Sequence, residues 1–233
     1  MSSIILAGLG YAVPERVFTN DDFAAKGIET SDEWIRTRTG IRERHLASEL
    51  ENTTTLGAQA ARKALETSKL ESKDIELIVV ATLTPERPMP SSACSIGKAL
   101  GLEGIPSFDV SAACSGFIYA LTVAEALMKS RGYKTALVIG AEKLSSITDW
   151  TDRTTCVLFG DGAGAAVLKA VPEEKVGLID TLLGADGKLG DLLTLPKGGT
   201  ISMNGKEIFK HAVTVMGNSC VKLLERNNLT KDD

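Results

Sequence analysis

Short apolar runs rich in β-branched residues alternate along this chain with stretches in which apolar residues recur at helical spacing. The runs at 4–9, 75–82, 107–110, 135–139 and 156–168 predict strands. The stretches at 54–68, 92–100 and 115–130 predict helices. Such alternation predicts an α/β fold, a largely parallel sheet covered by helices. Gly160, Gly162 and Gly164 interrupt the last apolar run, so a turn or bulge is expected within it. The stretch 115–130 is apolar around most of its circumference, which predicts a buried central helix.

Residues 171–175, with Pro172 and three charged side chains, read as a surface connection, and a new apolar run begins at Val176. The chain is therefore expected to divide into residues 1–170 and 171–233. A long helix is predicted over about 205–226. Its end invites comparison with an earlier one: ALETSKLESKD at 64–74 and LLERNNLTKDD at 223–233 are each a helix end, a polar turn with one leucine, and a Lys-Asp pair. The first runs into the predicted strand at 75–82. If the chain is an internal duplication, the second copy stops where its matching strand should begin, which suggests C-terminal truncation. Chance similarity of two helix ends is the alternative.

Charge narrows the function classes. With 26 basic against 30 acidic residues and a net charge of -4, generic polyanion binding is not the main role. The apolar N-terminus has no basic flank before it and is broken by glycines, so a first strand is expected rather than a signal peptide or membrane anchor. Cys94, Cys114, Cys156 and Cys220 stand far apart without C-x-x-C spacing, and only His45 and His211 could join them as metal ligands. That pattern suggests neither a zinc site nor a disulfide framework. Reduced thiols of a cytoplasmic protein fit it, each serving either core filling or chemistry.

Cys114 is the strongest chemical candidate. The segment 108–117, FDVSAACSGF, passes from a strand through small residues into a helix, with Cys114 at the turn. At a helix N-terminus, free backbone N–H groups and the helix dipole favour a thiolate and can hold the oxyanion formed when a thioester is attacked. A cysteine at the start of a buried helix is expected at the bottom of a pocket or tunnel. Packing remains the competing role, because free cysteine is commonly buried. Cys94, also near a helix start, is the rival nucleophile.

The segment DVSAACSGF resembles the active-site motif of β-ketoacyl-acyl-carrier-protein synthase III. TSDEWIRTRTGIRERH at 30–45, TDRTTCVLFGDGAGAAVL at 151–168 and MNGKEIFKHAV at 203–213 match that family in order and spacing. The resemblance covers essentially the whole chain. It implies a thiolase-like fold of duplicated βαβαβαββ units in layered sheets and helices, commonly as a homodimer. It also implies decarboxylating condensation of a short acyl-CoA, such as acetyl-CoA, with malonyl-acyl-carrier protein, without metal or redox cofactor, membrane or nucleic acid.

By the same resemblance Cys114 accepts the acyl group. Trp34 and Arg153 match the residues that sandwich the adenine of CoA. Thr30 and Arg38 match neighbouring nucleotide and phosphate contacts, and Met203, Gly205 and Phe209 match the pantetheine tunnel wall. Lys210, with Lys206 nearby, matches a carrier-protein docking position. Met89 matches a side chain that closes the partner subunit's acyl pocket, where a flexible methionine suits primers other than acetyl. The family's catalytic histidine lies in a Pro-His-Gln-Ala-Asn stretch, which does not occur in these 233 residues. His45 and His211 do not match it and read as solvated or packing groups. The glycine triplet lacks the lysine and hydroxyl residue of a phosphate loop, so close backbone packing is expected there.

Two other readings stand beside this one. A hydroxymethylglutaryl-CoA or type III polyketide synthase also carries a cysteine at such a junction. Alternatively, the chain is a noncatalytic fragment or dimerisation module.

Overall fold

The computed structural model describes residues 3–172 and 177–232. Residues 173–176, within the expected surface connection and at the start of the apolar run, lie outside the described residues. In chain order the elements are β1 (Ser3–Ala12), β2 (Val17–Thr19), α1 (Asn20–Ala25), α2 (Asp32–Thr39), β3 (Glu43–His45) and α3 (Thr53–Ser68). There follow β4 (Ile78–Ala81), α4 (Ser92–Ala99), β5 (Ser107–Val110), α5 (Gly116–Arg131), β6 (Thr135–Lys143) and α6 (Arg153–Cys156). The last are β7 (Asp161–Val171), β8 (Leu193–Thr194), β9 (Ser202–Met203) and α7 (Gly205–Arg226). Two compact units interleave along the chain.

The first unit comprises Met1–Thr19, Glu43–Ser146 and Gly160–Leu178. Its sheet has the order β1-β7-β6-β4-β5. β4 runs parallel to both β5 and β6, whereas β7 is antiparallel to both β6 and β1. The sheet is therefore mixed rather than largely parallel. Between β6 and β7 the chain carries two short helical turns, Leu144–Ser146 and Arg153–Cys156, rather than the crossover helix usual between parallel strands.

Period-two patterning sorts the sheet's side chains between two cores. Ile78 and Val80 of β4 join Leu137, Ile139 and Val167 beneath α3 and α4, while Leu77, Val79 and Ala81 join Val138 and Leu168 beneath α5. The glycines of β1 allow α3 to lie directly on the sheet. A Cβ at Gly8 or Gly10 would collide with α3 backbone at Ala60, Ala64 or Ser68. An Asn52–Thr55 capping box starts α3. Opposite it, α5 buries Gly116, Ala120, Leu121, Ala124 and Met128 but leaves Ile118 exposed. Thus α5 is a one-faced helix rather than the fully buried central helix expected.

The run expected as one strand over 156–168 is two elements. Asp152 accepts from the Thr154 amide and the Thr155 hydroxyl, starting a helical turn that ends at Cys156, and the strand begins only at Asp161. The glycine packing expectation holds at Gly160, where a Cβ would lie 2.9 Å from Arg44 Cβ, and weakly at Gly162; around Gly164 there is open space.

The second unit comprises Asn20–Arg42, Ile147–Phe159 and Ile179–Asp233. Phe23 and Ile35 are fully buried, and Phe23 stacks on Trp150 with centroids 6.2 Å apart. The buried Asn20 amide donates to Asp32 Oδ1 at 2.9 Å and to the Ile41 carbonyl at 2.8 Å, tying α1 to both ends of the α2 segment. Ser31 caps α2, and Gly40 ends it in the left-handed conformation (φ 74°). Asn204 caps α7 by accepting from the Glu207 amide.

The ends of α3 and α7 close identically. After α3, Lys69 has φ 58°, its amide donates to the Glu66 carbonyl, and the Leu70 amide donates to the Leu65 carbonyl. After α7, Asn228 has φ 54°, its amide donates to the Glu225 carbonyl, and the Leu229 amide donates to the Leu224 carbonyl. The two sequence stretches that resemble each other therefore fold into the same left-handed termination.

Candidate active site

Three parallel strands, β5, β4 and β6, end side by side, and ligands of α/β sheets gather at such carboxyl ends. Cys114 follows the end of β5 in a single 3-10 turn, Ala113–Ser115, that runs straight into α5. The turn is sharp: Ala113 adopts φ 45°, a left-handed conformation that costs a residue with a Cβ on the order of 1–2 kcal/mol. Gly116 is buried against the end of β4, where a Cβ would lie 3.1 Å from that of Ala81. Small residues here serve close packing of the turn on the sheet.

Cys114 itself is exposed, not at the base of a tunnel. Cys94 is exposed too, but its Sγ lies 3.7 Å from the Ser107 carbonyl and its amide is used by the Ser91 cap. It stands inside a conventional helix start, without the left-handed turn that presents Cys114. Cys156 is buried, and Cys220 lies exposed on α7.

Beside the cysteine turn the sheet ends in a polar cluster that sequence reasoning missed. Glu142, at the end of β6, accepts from the Leu83 amide at 2.9 Å and from the Thr84 hydroxyl at 2.5 Å, with the Thr82 hydroxyl at 3.4 Å. Burial pushes the Glu142 carboxyl above the usual carboxylate range, against the opposing effect of these donors. The available signal was a glutamate closing an otherwise apolar strand run. From this cluster the chain leads to Met89, whose side chain is 84% exposed in the connection before α4.

The second unit gathers the aromatic and basic residues. Trp34 on α2 has the Arg38 guanidinium 4.5 Å and the Arg153 guanidinium 4.9 Å from its ring centroid. Arg153 also donates to the Glu29 carbonyl at 2.6 Å. The hydroxyl of Thr30 is buried without a hydrogen-bond partner among the described residues. Thr30, Trp34, Arg38 and Arg153 therefore belong to one neighbourhood, built by α2, the segment before it and the start of α6.

Met203, Gly205, Phe209 and Lys210 form a second group at the start of α7. Met203 ends the β8–β9 ribbon, with its Cε 3.6 Å from where a Cβ on Gly205 would lie. Phe209 is 71% exposed, and Lys210 faces Glu207 at 4.0 Å. His45 is a packing group, its Nδ1 2.5 Å from the Pro14 carbonyl, and His211 lies half-buried on α7. Among the described residues no cluster of histidine, cysteine or acidic side chains has the composition of a metal site, and no helix is long and apolar enough to cross a membrane.

The family model for 3-oxoacyl-[acyl-carrier-protein (ACP)] synthase III matches residues 108–187, which include Cys114. The β-ketoacyl-[acyl-carrier-protein] synthase III of Xylella fastidiosa (strain Temecula1) is 50% identical, over 98% of this chain and 73% of its own length. That of Geobacillus kaustophilus is also 50% identical, over 98% of this chain and 72% of its own. The crystal structure of 3-oxoacyl-[acyl-carrier-protein] synthase III from Aquifex aeolicus superposes with a TM-score of 0.92 at 47% identity, covering 99% of this chain and 73% of that one. The Pseudomonas aeruginosa synthase III gives 0.93 at 38% identity, with the same coverage. Identity of this order along nearly the whole chain, on a superposable thiolase-like α/β scaffold, makes this chain a member of the β-ketoacyl-[acyl-carrier-protein] synthase III family of fatty-acid-initiating transferases.

Proposed function

We propose that this chain carries the acyl-accepting half of a decarboxylating condensation in which a short acyl-CoA, acetyl-CoA first among them, primes malonyl-acyl-carrier protein. The observation that carries this reading is the exposed Cys114 on its left-handed turn at the carboxyl ends of three parallel strands. The Cys114 sulfur, as thiolate, attacks the thioester carbonyl; its carbon–sulfur bond to CoA breaks, and CoA leaves as a thiolate that takes up a proton. The intermediate oxyanion is assigned to backbone N–H groups of the cysteine turn other than those of Ser115 and Gly116, which donate to the Ala112 and Ala113 carbonyls.

Trp34 and Arg153 are assigned to the adenine, because indole and guanidinium planes both stack on aromatic faces. Thr30, with its unsatisfied hydroxyl, and Arg38 are assigned to the rest of the nucleotide. Met203, Gly205 and Phe209 are assigned to the pantetheine arm, Met89 to the acyl pocket, and Lys210 to steering of the acidic carrier protein. The repeats are assigned to residues 1–170 and 171–233, with a cytoplasmic homodimer as the working assembly.

The absence of a Pro-His-Gln-Ala-Asn stretch from these 233 residues favours a second reading, that the chain taken alone is a noncatalytic module. Mass spectrometry after incubation with acetyl-CoA separates the two. An acyl mass on Cys114 supports acyl acceptance, and its appearance on Cys94 instead refutes the assignment. Radiolabel transfer to malonyl-carrier protein against free malonyl-CoA tests the acceptor; preference for free malonyl-CoA overturns it.

A further inference from the structure

We propose that Glu142 is a positioning residue for Cys114, acting through the first residues beyond β4. Ala81, the last residue of β4, pairs with Val110 on one side and Gly140 on the other, and there the regular strand pairing of β4 stops. Beyond it the chain is held to β6 by side chains. Glu142 takes the Leu83 amide and the Thr84 hydroxyl, and the Lys143 amide donates to Thr84 Oγ1 at 2.9 Å; from α3 the Thr53 hydroxyl donates to the Thr84 carbonyl at 2.6 Å.

The cysteine turn rests on the same two strand ends. Gly116 packs on Ala81, and Phe117 lies against Gly140, where a Cβ would come within 3.4 Å of its ring. Thr82 directly follows Ala81, and Glu142 stands two residues beyond Gly140. The carboxylate therefore clamps the two supports of the turn at their free ends. The Leu83 amide and the hydroxyls of Thr82 and Thr84 converge on its two oxygens.

The neighbouring charges have other assignments. The Lys143 ammonium donates to the Ser48 and Glu51 carbonyls, Glu86 accepts from the Thr54 amide, Asp109 accepts from the Ser92 and Ala93 amides, and Asp161 accepts from Ala47 and Ser145. Glu142 touches no reacting atom in this account. Its influence on chemistry is geometric, and displacement of a nucleophile by an ångström can cost about two orders of magnitude in rate.

The proposal rests on Cys114 as the acyl acceptor, so its test has one arm that does not. The full chain and its E142A, E142Q and T84V variants are treated with acetyl-CoA or with iodoacetamide, and each cysteine peptide is followed by mass spectrometry. Acetylation of Cys114 is expected to fall about tenfold or more in E142A and T84V, with alkylation of Cys94 and Cys220 unchanged. E142Q should recover most of the loss, since its amide oxygen still takes the Leu83 amide while its NH2 faces Thr84 Oγ1.

Unaltered Cys114 acetylation in both E142A and T84V overturns the proposal. So does an E142Q no better than E142A, or a loss accompanied by equal changes at Cys94 and Cys220. If the unmodified chain takes no acetyl group, the acyl-acceptor reading fails by itself and Glu142 is judged by alkylation. A selective change at Cys114 then supports it, and none overturns it.

Discussion

Helices α3 and α7 end in the same turn and are treated oppositely by the rest of the chain. In α3, Leu56, Ala60, Ala61 and Ala64 are fully buried against the sheet. In α7 no residue is buried, and Phe209, Val213, Val215, Met216 and Val221 are exposed. The hydrogen bonds of Lys69 and Leu70 nevertheless recur at Asn228 and Leu229. Termination is decided by a few neighbouring residues, whereas the worth of an apolar stripe depends on what lies against it.

The largest expected contrast is between Leu56→Ala and Val215→Ala. Removing the Leu56 side chain, at 0% exposure, should cost about 2–5 kcal/mol in denaturant unfolding. Val215, at 57% exposure, should cost no more than about 0.5 kcal/mol. Equal costs would mean that α7 is covered in solution. Next comes Gly10→Val, which drives a side chain into α3 at Ala60 and Ala64 and should destabilise by about 1–3 kcal/mol in the same measurement.

A smaller effect sharpens the comparison at the shared turn. Lys69→Gly should stabilise by about 0.5–1 kcal/mol, and Asn228→Gly by less, because asparagine tolerates a left-handed backbone better than lysine. Thermal unfolding of both variants checks the ordering.

Acidity distinguishes the two units by sign. Arg226 first, then Asn227, hold the Asp180 carboxyl below its ordinary 3.8, so the tie between Asp180 and the end of α7 contributes stability above that value and loses it as pH falls through the depressed one. Burial raises the Glu142 carboxyl above its ordinary 4.5, so its contribution is most favourable below 4.5 and is lost as pH rises through the elevated value. Urea midpoints measured across acid pH should therefore show Asp180→Asn flattening the acid loss and Glu142→Gln flattening the loss on the alkaline side.

Much of this fold was legible. The strand at 107–110 and the helix at 205–226 are found at the expected bounds, because their patterns are uninterrupted and bordered by turn or capping residues. The strand at 75–82 contracts to Ile78–Ala81, and that at 135–139 extends to Lys143, since ladder ends are set by partners distant in sequence. Helix α6 was hidden because Thr154, Thr155 and Cys156 continue an apolar, β-branched run, while the deciding residue is the Asp152 cap before them. Cys114 was legible as the turn residue, but not its exposure or its dependence on a left-handed Ala113. Trp34, Arg38 and Arg153 were joined in the sequence only through the family resemblance, because the meeting of α2 with the start of α6 leaves no local pattern.

The distribution of thiols gives this protein built-in reporters. Cys114 and Cys220 are exposed, one in each unit, and Cys94 can be replaced without touching either. Paired spin labels or fluorophores on Cys114 and Cys220 would serve as a ruler between the units, in any solution condition. Cys156, fully buried, would accept a thiol reagent only when the second unit opens, and so would record the lifetime of its closed form.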